Sequence, residues 1–214
     1  MHVVPLRDVK SILCLGAHAD DIEIGCGGTI LKLLAESARR DVAWVVFSAK
    51  GRRVAEAQRS ARAFLAGAGR KRIEVKRFRE SFFPYQGAAI KAYFERLKRL
   101  VQPDLVFTHY GNDSHQDHRL LSELTWNTFR NHLILEYEVP KYDGDLGRPN
   151  VFVPLGAATS REKAQRVCQF FRSQGDKHWF SPDTFLSLMR MRGIECASAT
   201  RYAEAFYCRK LVCG

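Results

Sequence analysis

The stretch Ser11–Ala35 reads SILCLGAHADDIEIGCGGTILKLLA, and both the fold and the chemistry turn on it. Ile12–Ala17 is a short apolar run containing Gly16, the length of a buried strand. From Gly27 onward, Ile30, Leu31, Leu33, Leu34 and Ala38 mark a helical face. His18, Asp20 and Asp21 lie between the two, in what reads as the turn that leaves a strand and enters a helix. In open α/β sheets such turns sit at the carboxyl ends of the strands, where ligands bind. Three ligand-capable side chains there point to a metal and predict a partner cluster elsewhere.

The rest of the chain alternates in the same way through residue 139. Strands are predicted at Val42–Ser48, Ile73–Phe78, Leu105–Thr108 and Leu133–Val139, the second of these more polar and nearer a sheet edge. Helices are predicted at Arg53–Leu65, at Ala88–Val101 and from about Arg119 to Arg130. This alternation argues a Rossmann-like, doubly wound, mostly parallel sheet with helices on both faces. Lys141–Asn150 reads as a surface loop, and Val151–Val153 as a short strand. A helix is expected over Thr159–Ser173 with a Ser160 cap. Another opens at Ser181-Pro182-Asp183, with proline at a tolerated first position, and stops at Gly193. Tyr202–Cys208 reads as a last strand. The final 60 residues or so are less regular than the rest and are placed as an appended cap or sheet extension, the whole chain, 1–214, forming one domain.

With 214 residues, 46% of them hydrophobic, the chain has enough apolar mass for a substantial core. No window approaches the roughly 18 uninterrupted apolar residues of a membrane helix. MHVVPLRDVK carries no secretory signal pattern. Six cysteines (14, 26, 168, 196, 208 and 213) are scattered with no CxxC pair, which favours a reducing cytoplasm. The net charge of +11 admits a nucleic-acid partner, but the basic residues are spread along helix faces, as at Lys91, Arg96, Lys98 and Arg99. Solvated helix surfaces are the favoured reading, with a positive field that draws in an anionic substrate as the middle one.

The partner cluster is His109, Asp113, His115, Asp117 and His118, directly after the Leu105–Thr108 strand. In a doubly wound sheet the first strand and the strand after the reversal are neighbours, so the two clusters flank one crevice. Two imidazoles and a carboxylate with an open position suit a catalytic zinc ion.

At these residues the sequence resembles the LmbE/PIG-L family of zinc-dependent N-deacetylases. AHADDIEIGCGG is similar to the family's AHPDDxE signature, HQDHR to its HxDH motif, and Arg53-Val-Ala-Glu56 to its RxxE. The resemblance runs through most of the chain and departs at Ala19, where the family usually has proline. It implies a Rossmann-like fold, one Zn2+ per chain (Fe2+ as the alternative), and His18, Asp21 and His118 as its ligands. It also implies Asp20 as general base and His115 as the group that polarises the carbonyl or protonates the leaving amine. Asp117 between the histidines is expected to orient one of them. Asp20, beside a ligand but not bound, suits the acceptance of a proton, and a cationic His115 would stabilise an oxyanion.

Weaker candidates surround these. Arg53 either holds a sugar hydroxyl or a phosphate, or pairs with Glu56. Glu138, His178 and Trp179 are pocket candidates, while Phe82, Phe83 and Tyr85 either stack on a sugar or anchor a loop. Gly25, Gly27 and Gly28 allow a tight turn and close helix packing. The expected activity is hydrolysis of the N-acetyl group of an amino sugar or its conjugate, the substrate being a small molecule for which the net charge admits an anionic form. Amidase action on a larger conjugate is the nearest alternative. A dinucleotide oxidoreductase is disfavoured because no G-x-G-x-x-G follows strand one. A basic nucleic-acid module with a vestigial site finds no supporting motif. No membrane insertion is expected, and a homo-oligomer is compatible with the sequence.

Overall fold

The computed structural model describes residues 3–212; Cys213 and the first two residues of the N-terminal stretch lie outside them. Seven strands form one sheet in the order β3-β2-β1-β4-β5-β7-β6. The five strands β1 (Ser11–Gly16), β2 (Asp41–Val46), β3 (Lys71–Val75), β4 (Leu105–His109) and β5 (Leu133–Tyr137) are mutually parallel. β7 (Tyr202–Tyr207) runs antiparallel to β5 and to β6 (Val151–Leu155). The order reverses between β1 and β4, so the ends of those two strands define the crevice.

The helices α1 (Asp21–Glu36), α2 (Arg52–Phe64), α5 (Ala157–Phe170) and α6 (Pro182–Glu195) pack together on one face. α3 (Gly87–Leu100) and α4 (Gln116–Phe129) cover the other. Trp44, Phe64, Phe107 and Phe206 belong to the first core, and Phe47, Phe83, Phe94 and Phe129 to the second. β1 and β4, buried on both faces, account for the continuous apolar runs of the sequence. β3 is an outer strand and more exposed, as its polarity predicts.

Several boundaries differ from the sequence-based expectation, each for a tertiary reason. α1 begins at Asp21, not Gly27, and its glycines are helical. A Cβ at Gly25 would overlap the Tyr137 ring, at Gly27 it would meet Phe64, and at Gly28 it would meet Leu155 and Glu204. These residues are small because α1 lies close against its neighbours, which overrides the local helix cost of glycine. α4 begins at Gln116 instead of Arg119, capped by His115. β3 starts at Lys71 because its parallel ladder with β2 begins at the Val42–Lys71 pair. α5 starts at Ala157 with Gly156 as cap, and Ser160 instead bonds back to the Gly156 carbonyl.

α6 does open on the expected cap, with Ser181 Oγ accepting from Thr184 N, but it passes through Gly193 to Glu195. Gly193 is there for close approach: a Cβ would strike the Arg201 carbonyl. Residues 151–207 are regular, forming β6, α5, α6 and β7 and widening the sheet by two strands.

Candidate metal centre

β1 ends at Gly16 and α1 starts at Asp21, so the chain has four residues in which to turn. The turn is closed by Asp21, whose Oδ2 accepts the His18 backbone N–H at 2.6 Å. The Asp21 carboxylate is thereby fixed beside the His18 ring, Oδ2 lying 3.3 Å from Nδ1. On the neighbouring strand, β4 leads through residues 110–114 to α4, whose first turn carries Asp117 and His118. His118 Nε2 stands 3.1 Å from His18 Nδ1 and 3.5 Å from Asp21 Oδ2.

Each of these imidazoles has a carboxylate on its far nitrogen. His18 Nε2 faces Asp117 Oδ2 at 3.2 Å, and His118 Nδ1 faces Asp113 Oδ2 at 2.9 Å. With the rings neutral and those nitrogens donating, the near nitrogens would turn their lone pairs toward each other and toward Asp21. Second-partner carboxylates of this kind are the usual support of metal-ligating histidines. Four-coordinate zinc, with bonds near 2.0–2.1 Å, sets its ligand atoms about 3.3 Å apart. The His18, Asp21 and His118 donor set therefore fits a small divalent cation.

Two other overlapping groupings exist, His18–His115–His118 and Asp21–His109–His118. His109 is fully buried, and its Nε2 sits 2.9 Å from the Ala17 N–H, so that lone pair is already engaged. His115 Nδ1 accepts the Asp117 N–H at 3.2 Å, leaving Nε2 as the atom free to act. In the mixed set of two histidines and Asp21, each far imidazole nitrogen is held by a carboxylate, and Asp21 Oδ2 also accepts the His18 N–H.

The electrostatics describe a centre short of positive charge. Burial opposes a charge on His18, but Asp21 and Asp117 override it and push its pKa up to about 10. His118 is likewise raised against its burial, by Asp21 and Asp113. Burial favours a neutral Asp21, yet the three imidazoles around it hold its carboxyl well below the usual range. Burial lowers the pKa of His115, and His118 and His18 lower it further.

Asp20 caps α1 and is also buried. Arg53 Nη2 binds its Oδ1 at 2.7 Å, whereas Oδ2 has no protein partner among the described residues. Burial raises the Asp20 carboxyl against the pull of Arg53. Arg53 thus sits on Asp20 and, more loosely, on Glu80 at 3.6 Å. It does not pair with Glu56, which instead accepts from Ser173 N and Oγ. Asp117 is fully buried and accepts from Ser81 N and Phe83 N as well as from His18, so it orients His18 without reaching the cleft.

Glu138 is also turned away. Its carboxylate is taken by Arg192, the Tyr207 hydroxyl and Gly147 N, and it does not line the cleft. That corrects its expected place against substrate.

The cleft over the donors has a volume of about 210 Å3. Lys141, Tyr142, Lys177 and Trp179 line it together with Arg53 and Glu80. Trp179 was legible as a pocket candidate; its neighbour His178 is not in the wall. Phe83 is core, and Phe82 and Tyr85 lie outside the cleft. Past Glu80 a groove of about 820 Å3 opens, bordered by Lys50, Arg77 and Arg79. A groove of about 880 Å3 over α4 and β7 is comparable in size but holds no converging donors, and the chemistry belongs to the smaller cleft.

Residues 13–129 match the family model PIG-L, GlcNAc-PI de-N-acetylase, and the chain belongs to that family. Three solved structures share the fold. N,N'-diacetylchitobiose deacetylase from Pyrococcus horikoshii is 24% identical with a TM-score of 0.72, over 95% of this chain and 85% of that one. GalB, the 4-carboxy-2-hydroxymuconate hydratase from Pseudomonas putida KT2440, is 17% identical with a TM-score of 0.76, over 96% and 98%. The A40926 pseudoaglycone deacetylase Dbv21 is 17% identical with a TM-score of 0.67, over 95% and 98%. A hydratase among them marks the fold as a host for more than one chemistry.

Proposed function

We propose that the protein is a metal-dependent N-deacetylase acting on an N-acetylated amino sugar carried by a larger, anionic conjugate. The observation that supports it most is the convergence of His18 Nδ1, Asp21 Oδ2 and His118 Nε2, 3.1–3.5 Å apart on a cleft floor. Those three residues would hold the ion, zinc first and iron as the alternative. The ion supplies Lewis acidity to the amide carbonyl and to water.

The chain's own groups divide the remaining work. Asp20 Oδ2, free of protein partners and lining the cleft, accepts the proton of the attacking water. Arg53 holds the other oxygen and keeps that carboxylate oriented. His115, neutral and bare at Nε2–H, donates a hydrogen bond to the carbonyl oxygen as charge builds on it. The proton on Asp20 then passes to the leaving amine as the C–N bond breaks and acetate departs. Tyr142 and Trp179 give the sugar an aromatic wall.

The anionic part of the reading is supported by the adjoining groove. Lys50, Arg77 and Arg79 form no ion pair among the described residues, and Glu80, shared by groove and cleft, is turned to Arg53.

The test is acetate release from a panel of N-acetyl sugars, sugar phosphates and glycosides, with metal measured in the same sample. Acetate release that tracks metal content supports the reading. Metal-replete protein that releases acetate from none of them, or metal-free protein that stays fully active, rejects it. Free N-acetylglucosamine should be a poorer substrate than its phosphate-bearing form, the gap narrowing with salt as surface charge is screened. Fastest turnover of the free sugar would remove the anionic part alone.

A further inference from the structure

α1 carries Asp21 in its first turn, and one turn further on it is gripped by two buried side chains from the other end of the sequence. Lys163, on α5, donates from Nζ to the Ile24 carbonyl at 2.6 Å. Glu204, on β7, accepts from Gly28 N at 2.8 Å and from Thr29 N at 2.6 Å. Lys163 and Glu204 pair with each other at 2.5 Å, both side chains about 97% buried. In an α-helix the carbonyl of residue 24 and the amide of residue 28 are the two ends of one rung. The ion pair therefore takes hold of both ends of the rung that follows the metal-facing turn.

Nothing in ordinary helix formation calls for this, since a mid-helix rung satisfies itself. Burying two charges is also costly and seldom the most stabilising choice. The contact has been given room. Gly28 is where a Cβ would come within 3.0 Å of Glu204 Oε1. A cavity of about 20 Å3, large enough for one water, lies beside the pair and is lined by Ile24, Gly25, Lys163 and Glu204.

We propose that Lys163 and Glu204 are positioning residues that set the first turn of α1, and with it Asp21, against His18 and His118. This rests on the metal reading given above. Lys163 draws the carbonyl end of the first turn toward α5, and Glu204 holds the amide end of the next turn toward β7. Between them they fix where Asp21 stands relative to ligands carried by the β1–α1 turn and by α4.

The decisive variant is the double substitution Lys163→Met with Glu204→Met. It removes both charges together, and every freed backbone group regains its in-helix partner. Thermal melting and circular dichroism should stay near wild type. The zinc dissociation constant, from chelator competition, should rise by roughly 10–100-fold, the usual cost of losing a group that orients a ligand. The visible spectrum of the cobalt-loaded protein should change, since it reports ligand geometry and not stability.

A folded double variant with wild-type zinc affinity and an unaltered cobalt spectrum overturns the proposal. Should the double variant not fold, Lys163→Met, which leaves the Ile24 carbonyl without its side-chain donor, is measured in the same way, and an unchanged spectrum and affinity there overturn it equally. Wild-type protein that binds no divalent ion overturns the metal reading and this proposal together, an outcome visible before any variant is made.

Discussion

Two buried clusters of charged side chains stand on the same sheet, and they are organised in opposite ways. In the outer part, Glu138 is met by two guanidinium nitrogens of Arg192, a hydroxyl and a backbone amide. Glu204 is met by Lys163 and two backbone amides. Donors there outnumber or match acceptors, and each carboxylate is saturated. At the ends of β1 and β4 the reverse holds. Two imidazoles turn ring nitrogens toward each other and toward a carboxylate, within 3.5 Å of one another. Saturation marks a cluster that is complete as the chain folds. Convergent ligand-capable atoms mark one that, on the reading proposed above, takes a bound cation.

The contrast breaks most visibly at Asp21. Asp21→Ala should lose nearly all its metal and its turnover together, read by elemental analysis and acetate release. A metal-replete, active Asp21→Ala protein would place the ion elsewhere. Asp20→Asn should keep fold and metal yet lose roughly 10²–10⁴-fold in turnover, the usual worth of a general base. If it emerges metal-free, Asp20 is a ligand and the two roles are exchanged.

The saturated cluster should answer in a different currency. Arg192→Met leaves Glu138 buried without its cation, which costs about 3–5 kcal/mol of folding stability. Denaturant unfolding should show that loss with metal content per folded chain unchanged; a parallel loss of metal would merge the two clusters into one. Asp117→Asn stands between them, since Asp117 orients His18 without reaching the cleft. Its metal affinity should fall roughly 10–100-fold with the ligand set intact, and unchanged affinity would reduce Asp117 to an anchor for the 81–83 loop.

The smallest effect belongs to a half-exposed cluster of the β3 edge. Burial pushes the Glu74 carboxyl up, but Lys76, Arg72 and the Tyr93 hydroxyl override it and hold its pKa at about 2. A carboxyl lowered on folding contributes stability above its unfolded pKa, near 4.5, and loses it as pH falls toward 2. The stability gap between wild type and Glu74→Gln should therefore be full at pH 7 and close progressively below about pH 4.5. A gap independent of pH would assign the effect to packing.

What could be read from the sequence was what is local to one turn or one strand. His18, Asp20 and Asp21 stand within four residues, and His115, Asp117 and His118 within four more, so their strand ends named the crevice. The buried strands declared themselves by apolar runs. The two helix starts were misplaced for one shared reason. Asp21 and His118 look like loop residues, yet each sits in a first helical turn, where polar side chains and glycines are tolerated because packing decides. Arg53 was expected at the substrate or on Glu56, but its partner Asp20 is 33 residues away, a pairing that spacing cannot encode. Tyr142 and Lys177 reach the cleft only through tertiary folding. Lys163 and Glu204, separated by 41 residues, gave no sign of facing one another.

The position of β7 has a consequence for the order in which the molecule can be built. β7 lies between β5 and β6, so β6 has no place in the sheet until residues 202–207 arrive. The pairing of Glu136 with Tyr207 spans 71 residues and closes one of the longest loops in the sheet, a non-local contact of the kind that forms slowly. During synthesis the five parallel strands can associate before residues 202–207 bring in the two outer strands. A polypeptide halted just short of residue 202 should leave the β5 edge open and prone to pairing with other chains. Assembly is thus sealed by residues 202–207, and pulse-labelled amide exchange during refolding should find Val153 and Phe206 protected later than Leu13 and Val106.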